Sequence, residues 1–277
     1  RPGAPGHRQK TGGGAHKKLH IVGSCAGTEP MPGRHHTSLA LETGGSLYFL
    51  DAGENCGYSS YLLGIDQLRT RSIFISHTHM DHVGGLPHLL WNLRKLCTLS
   101  PENQGRMAGR TVHVYLPDLE VFDGVYKMLL GSEGNYETVF SLQPHLVQDG
   151  LLQEEGLRVE AFHNLHLGEP APGERWKSFS FVLAAEGKKL VYSGDFRDFS
   201  ELLPHLSGAD LILLETGHHR AFALCQELKD AGVDFGRVLF YHHGVEILRD
   251  FAGELALARQ VLGDRVDFAQ DGMCLVL

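Results

Sequence analysis

The sequence predicts a four-layer αβ/βα sandwich, and three observations lead there. Strand-like apolar runs alternate with amphipathic helical stretches along the chain, the signature of an α/β protein. The pattern comes twice, each time as a β-rich run followed by strand-helix alternation. Clusters of His and Asp fall where strand-like runs end, the edge at which α/β proteins gather their chemistry. With 277 residues, 42% of them hydrophobic, the chain can bury a sizeable core. The clusters extend from His77 to His242, so these parts must fold together, and we expect one domain over residues 19–277.

Residues 1–18 are rich in Gly, Pro and basic side chains and are expected to be a flexible tail or an appended remnant outside the fold. Strands are expected over residues 19–22, 37–42 and 47–50, with a long Gly/Pro loop over 23–36. A buried strand at 71–75 precedes a helix carrying Leu86, Leu89, Leu90 and Leu93 at helical spacing. Further strands are read at 158–162, 178–184, 189–193, 209–215 and 237–241, with a turn at Glu186-Gly187 and an amphipathic helix over 221–231.

Residues 76–85 read Ser-His-Thr-His-Met-Asp-His-Val-Gly-Gly, which packs four metal-binding side chains into six positions. Strand alternation sends His77 and His79 the same way. Asp81 and His82 open the next helix and approach from a second direction, close enough to serve a second ion. Imidazole with one hard carboxylate suits zinc first, then manganese or iron. Surface histidines in a chain with 18 His would not fall in such an ordered run. Downstream, three strands lead in turn to His163-Asn164-Leu165-His166, to Gly194-Asp195 and to His242-His243.

This run and the order of the later clusters resemble the metallo-β-lactamase superfamily, and within it the ribonuclease Z-like and phosphodiesterase branch. The resemblance implies that His77, His79 and His166 hold one divalent ion, that Asp81, His82 and His242 hold another, and that Asp195 bridges them. Asp81 counts among the catalytic residues too, and Gly84 and Gly85 would allow close backbone approach. His163 and His243 rank below their neighbours. Asp51, in Leu-Asp-Ala-Gly, would orient the ligand loop by hydrogen bonds; a helix-capping role is weaker because Gly53, Glu54 and Asn55 precede the helix near Tyr58. In Glu215-Thr-Gly-His-His, Glu215 would pair with a proton-donating histidine, either His218 or His219. Two such ions would activate a water for hydrolysis.

Other classes are disfavoured. No phosphate-cradling glycine loop with a following Lys-[Ser/Thr] and no Gly-x-Ser-x-Gly elbow occurs. Five scattered cysteines without Cys-x-x-Cys suggest a reducing cytoplasm. No apolar run approaches the ~18 residues of a membrane span, and no signal peptide is visible. The tRNA-processing members that this chain resembles carry a basic arm between the third motif and the bridging Asp, whereas only 28 residues separate His166 from Asp195 here. A net charge of −8 also disfavours a long polyanion. The expected substrate is therefore a small phosphodiester, cyclic or nucleotide-derived, with Arg34, His35, His36 and Arg197 nearest its phosphate. An RNA endonuclease, a lactone or thioester hydrolase, and a non-hydrolytic binding or carrier protein of the same fold are the alternatives. A homodimer is left open, and no membrane partner is expected.

Overall fold

A computed structural model describes residues 17–277. Six strands come first: β1 (Lys18–Gly23), β2 (Ser38–Thr43), β3 (Ser46–Leu50), β4 (Thr70–Phe74), β5 (Thr111–Leu116) and β6 (Ser141–Leu146). Seven more follow: β7 (Gly150–Gln153), β8 (Arg158–His163), β9 (Phe179–Ala185), β10 (Lys188–Tyr192), β11 (Ala209–Thr216), β12 (Phe235–His243) and β13 (Val266–Phe268). The last strand, β14 (Cys274–Val276), crosses back to pair with β1. Two seven-stranded sheets result, ordered β14-β1-β2-β3-β4-β5-β6 and β13-β12-β11-β10-β9-β8-β7. Helices α1 (Cys56–Leu62), α2 (Met80–Val83), α3 (Leu86–Thr98), α4 (Pro101–Met107) and α5 (Leu119–Glu133) accompany the first sheet. Helices α6 (Leu203–Leu206), α7 (Ala221–Asp230), α8 (Val245–Arg249) and α9 (Phe251–Leu262) accompany the second.

Strand alternation turns these sheets into four layers. Phe49 faces one way and its neighbours Tyr48 and Leu50 the other, as the two-residue period requires. Phe49, Ile73 and Val114 pack under α1, α3 and α5, through Cys56, Leu89, Leu90 and Phe122. Tyr48, Leu50 and Phe74 meet Phe181, Leu183 and Tyr192 between the sheets. On the far side, Val191, Ile212 and Phe240 pack under α7 and α9 through Leu224, Leu228 and Ala258. Three separate cores therefore glue helix to sheet, sheet to sheet, and sheet to helix, which is the expected sandwich.

Two expectations need correction. The first strand starts at Lys18 rather than Leu19: Lys18 pairs with Val276 and Glu42, the Lys17 carbonyl accepts the Leu277 N–H, and Lys17 Nζ lies 3.1 Å from Glu186. The flexible-tail reading otherwise concerns residues 1–16, which lie outside the described residues. Asp81 and His82 sit not in the first turn of α3 but in the separate turn α2. Gly84 and Gly85 lie between the two, and a Cβ on Gly85 would lie 2.0 Å from the Gly53 carbonyl oxygen, so the close backbone approach there requires glycine. The long stretch between α3 and β8, with β5, α5, β6 and β7, was not expected from the sequence. Among the described residues no helix is long and apolar enough to cross a membrane, and all five cysteines are free.

Strands β3 to β6 run parallel, as do β10 to β13. Asp51, Ser76-His77, Asp195 and Glu215 all lie at carboxyl ends of these strands, so both sheets deliver chemistry to one rim.

Candidate metal centre

Three sheet-edge loops and one bulge build the site. His77 and His79 leave β4 on the extended backbone that the sequence pattern requires. His77 Nε2 and His79 Nδ1 stand 3.1 Å apart, and His166 Nε2 stands 3.4 Å from His79 Nδ1. Asp195 Oδ2 lies 3.6 Å from both His77 Nε2 and His166 Nε2. On the other side of the same carboxylate, Asp195 Oδ1 lies 3.3 Å from His82 Nε2 and 3.4 Å from His242 Nε2. Asp81 Oδ2 completes that set at 3.3 Å from His82 Nε2 and 3.1 Å from His242 Nε2.

These spacings fit a metal. Four atoms held tetrahedrally about 2.0–2.2 Å from one ion stand about 3.3–3.6 Å from one another. Both sets, His77/His79/His166/Asp195 and Asp81/His82/Asp195/His242, bring all their donor atoms within 4.8 Å of one another, with pairs at 3.1–3.6 Å close to that spacing. Electrostatics point the same way. Burial, reinforced by the neighbouring His82 ring, holds His77 well below the usual histidine range, and burial lowers His166 to about 4. Both rings therefore stay neutral with lone pairs available. In the second set burial would lower the rings too, but Asp195 outweighs it, with Asp51 helping at His82 and Asp81 at His242; His82 rises well above its ordinary value and His242 to about 9. The carboxylates thus demand positive charge between themselves and these rings. Asp195 Oδ1 is enclosed and has no hydrogen-bond partner, as an atom reserved for a cation would be.

The second set is held rigidly from behind. The Asp51 carboxylate accepts the Ser76 N–H at 2.7 Å, the Ser76 hydroxyl at 2.8 Å, His82 Nδ1–H at 2.7 Å and the Tyr192 hydroxyl at 2.6 Å. Asp51 is fully buried and adopts φ 56°, a left-handed conformation that only such a network sustains. Asp51 does not cap α1, whose N-terminus is at Asn55. His242 also has a left-handed φ of 53°. The β11–β12 register slips there, so that Glu215 faces Tyr241 and Thr216 faces His243, and His242 is left unpaired in the ladder. The bulge re-aims its ring into the site.

A family model described as "Anti-Pycsar protein Apyc1" matches residues 17–231, the stretch that carries every ligand but His242. The chain belongs to the Apyc1 family. It is also a metallo-β-lactamase-superfamily protein of the ribonuclease Z-like and phosphodiesterase branch. Ribonuclease Z of Methanothermobacter thermautotrophicus is 25% identical over 245 residues, covering 74% of this chain and 80% of that protein. Ribonuclease Z of Treponema pallidum is 47% identical over 66 residues, but the match spans only 21% of its length. Among solved structures, the metallo-β-lactamase fold protein YhfI from Bacillus subtilis superposes with a TM-score of 0.70 at 17% identity, covering 94% of this chain and 99% of that one. The short form of human tRNase Z gives 0.64 at 21% identity, covering 93% and 98%. These two show the fold.

In this Apyc1-family chain the competition between adjacent histidines is resolved by packing. His163 stacks on Trp176 with centroids 3.8 Å apart and pairs with Asp149, outside the ligand sets. His243 is buried between Thr216 Oγ1 and the Ala269 carbonyl. His219 turns to the Phe196 carbonyl at 3.0 Å and stacks on the Phe196 ring. His218 faces the centre instead: its Nδ1 lies 2.9 Å from Glu215 Oε1 and its ring lines the open cleft, about 370 Å³, above Asp81, Asp195 and His242. The Glu215 hydrogen bond raises the His218 pKa against burial. Glu215 itself, fully buried, is held down to about 2; burial opposes this and the bonds from His218 and His242 prevail.

The basic residues expected at the phosphate are placed elsewhere. Arg34 reaches Ser24 Oγ at 3.1 Å and the Ala269 carbonyl at 3.3 Å and lies over the Phe251 ring. His35 faces Glu54 at 3.5 Å, and His36 Nε2 lies 3.2 Å from the Thr28 carbonyl. Arg197 lies beside Gly168, and its backbone N–H goes to Glu201. None of the four lines the cleft. Two supporting residues were not foreseen from the sequence. Tyr192 supports Asp51, and the Glu201 carboxylate accepts backbone N–H groups from Leu165 and Arg197 and so ties the His166 loop to the Asp195 loop. Asp198, with Glu201 three residues on, is a visible capping pattern; the contact to Leu165 had no signal in the sequence.

Proposed function

We propose that the chain is a binuclear metal-dependent hydrolase that cleaves a small phosphodiester, with zinc the first candidate ion and manganese or iron next. One observation carries this: the two oxygens of Asp195, 2% exposed, each face a different three-residue ligand set. A shared carboxylate supports two ions held close together. Bound there, such ions would supply Lewis acidity that lowers the pKa of a water and screens the charge of a phosphate.

The chain's own residues would do the rest. His77, His79 and His166 would hold the more open ion, and Asp81, His82 and His242 the buried one. Asp51 keeps the His82 ring in a single orientation and tautomer by accepting a hydrogen bond from its Nδ1–H. Glu215 does the same for His218, whose other nitrogen is then available to give a proton to the leaving oxygen. Gly27 and Gly217 keep the cleft walls close, since a Cβ on Gly217 would lie 2.5 Å from His242 Nδ1.

The substrate class rests on charge. Among the described residues no Lys or Arg lines the cleft, and the connection from His166 to Asp195 is occupied by a loop and the β9–β10 hairpin. Similarity to ribonucleases Z favours a second reading, an RNA endonuclease. The Apyc1 family description suggests in addition an anti-Pycsar role for this chain. Elemental analysis of protein purified without chelator should find close to two divalent ions per chain. A panel of bis-aryl phosphate, cyclic nucleotide, lactone and lactam substrates should show turnover of the phosphodiesters, nearly insensitive to moderate salt. Site-defined cleavage of structured RNA with steep salt dependence would replace this reading with the endonuclease.

A further inference from the structure

Beside the metal cleft lies a second compartment of about 340 Å³, and the two share Gly217, His218, Gly244 and Val245 as a common wall. That volume is within the roughly 300–1,000 Å³ that small-molecule sites occupy. Val245 and the buried Ile247 give it an apolar side. Its polar side is Arg220 and Glu254, paired at 2.6 Å through Arg220 Nη2 and Glu254 Oε1. The pair is unevenly satisfied. Glu254 Oε2 is enclosed and has no hydrogen-bond partner, although the carboxylate is only 12% exposed. An enclosed carboxylate oxygen without a donor is costly to leave so. Arg220 is 63% exposed, so the pair is open on its solvent side.

We propose that this compartment receives the nucleobase of a small nucleotide phosphodiester, with Glu254 accepting an N–H of the base and Arg220 donating to the acceptor next to it. The proposal rests on the phosphodiesterase reading for the position of the phosphate, which would lie over Asp81 and Asp195 on the other side of the His218 wall. A flat ring fits the Val245–Ile247 side, and a donor beside an acceptor is the pattern that base edges present. A second phosphate fits poorly, because Glu254 and the exposed Glu246 line the compartment and would repel it. The bridging carboxylate and the base-reading carboxylate thus divide the ligand between them, charge at the metals and hydrogen-bonding edge at Glu254.

Glu254 and Arg220 would act as specificity residues, remote from the reacting atoms. The test compares calorimetric binding of cytidine monophosphate, whose base carries an amino donor, with that of inorganic phosphate in the metal-loaded wild type, Glu254→Ala, Glu254→Gln and Arg220→Ala. The expected result is a fall of at least tenfold in the ratio of nucleotide to phosphate affinity for Glu254→Ala, the size of one lost hydrogen bond to a charged acceptor. Glu254→Gln, which keeps the shape and one acceptor, should fall in between. Equal losses for both ligands, or no change in the ratio for either Glu254 variant, would overturn the proposal. So would a wild type that binds phosphate but gains nothing from the base. The readout is independent of turnover: Glu254-dependent nucleotide binding without hydrolysis of any phosphodiester would sink the phosphodiesterase reading and leave the base compartment standing.

Discussion

The two ligand sets use similar side chains but are built differently. Asp81, His82 and His242 are mostly buried, His82 is locked by Asp51, and two residues of the assembly, Asp51 and His242, hold left-handed backbone. His77, His79 and His166 are more open: His79 is exposed, His166 half-buried, and the buried His77 is backed by a hydroxyl, Ser76 Oγ at 3.1 Å from its Nδ1, rather than directly by a carboxylate. Imidazole and carboxylate alone therefore do not set how firmly an ion is held. Support from behind does, by fixing ring orientation before the ion arrives. The buried set is expected to bind tightly and exchange slowly, and the open one to exchange more readily and to face substrate.

The largest test removes the residue that both sets share. Asp195→Ala should lose at least one of two ions and lower kcat/KM by about three orders of magnitude or more, because charge stabilisation and water activation fail together; a fully active single-ion enzyme would defeat the shared-carboxylate reading. Next, His218→Ala should slow phosphodiesters with poor leaving groups by about 10²–10⁴-fold and activated aryl esters far less, with metal content intact. Equal losses on both would remove the proton-donor role. Glu215 raises the His218 pKa, so the proton needed for leaving is present below that value and lost as pH rises through it. Glu215→Gln should accordingly move the alkaline fall in rate to lower pH.

A sharper contrast between the sets comes from Asp51→Asn. It should weaken the buried position about 10–100-fold and the open one less, since Asp51 reaches His77 only through Ser76, as metal titration would read; equal weakening of both would erase the asymmetry. Dialysis against a chelator should then stop near one ion per chain in the wild type and go to completion in this variant. The smallest effect is expected for deletion of residues 1–16: with no Lys or Arg among the described residues lining the cleft, turnover of small phosphodiesters should change by less than about twofold.

The strand-to-loop position of the His77–His82 run, the later clusters at sheet edges and the α/β alternation were all legible in the sequence, because ligand types and hydrophobic period are local properties. Asp51 was legible as well, through the family resemblance, which implies an orienting Asp at that strand end. Arg34 and His36 were misplaced for a reason of the same kind: charge suggests an anion nearby, but the loop that carries them turns toward Ser24, Ala269 and Thr28, partners far away in the chain or hidden in backbone. Local chemistry names the candidates without saying where each one points.

By itself, then, the sequence determined the layer order, the residue types of the metal centre and their order along the chain, since these come from period and composition. Only tertiary structure decided between His218 and His219, and it supplied the physical reason for His242 over His243 and His166 over His163, which the family resemblance had ranked first. Each pair has the same chemistry, and the choice falls to a neighbour the sequence does not announce: Phe196 behind His219, Thr216 beside His243, Trp176 against His163. The β12 bulge is the clearest case, because a one-residue slip in pairing exchanges which of two histidines faces the site.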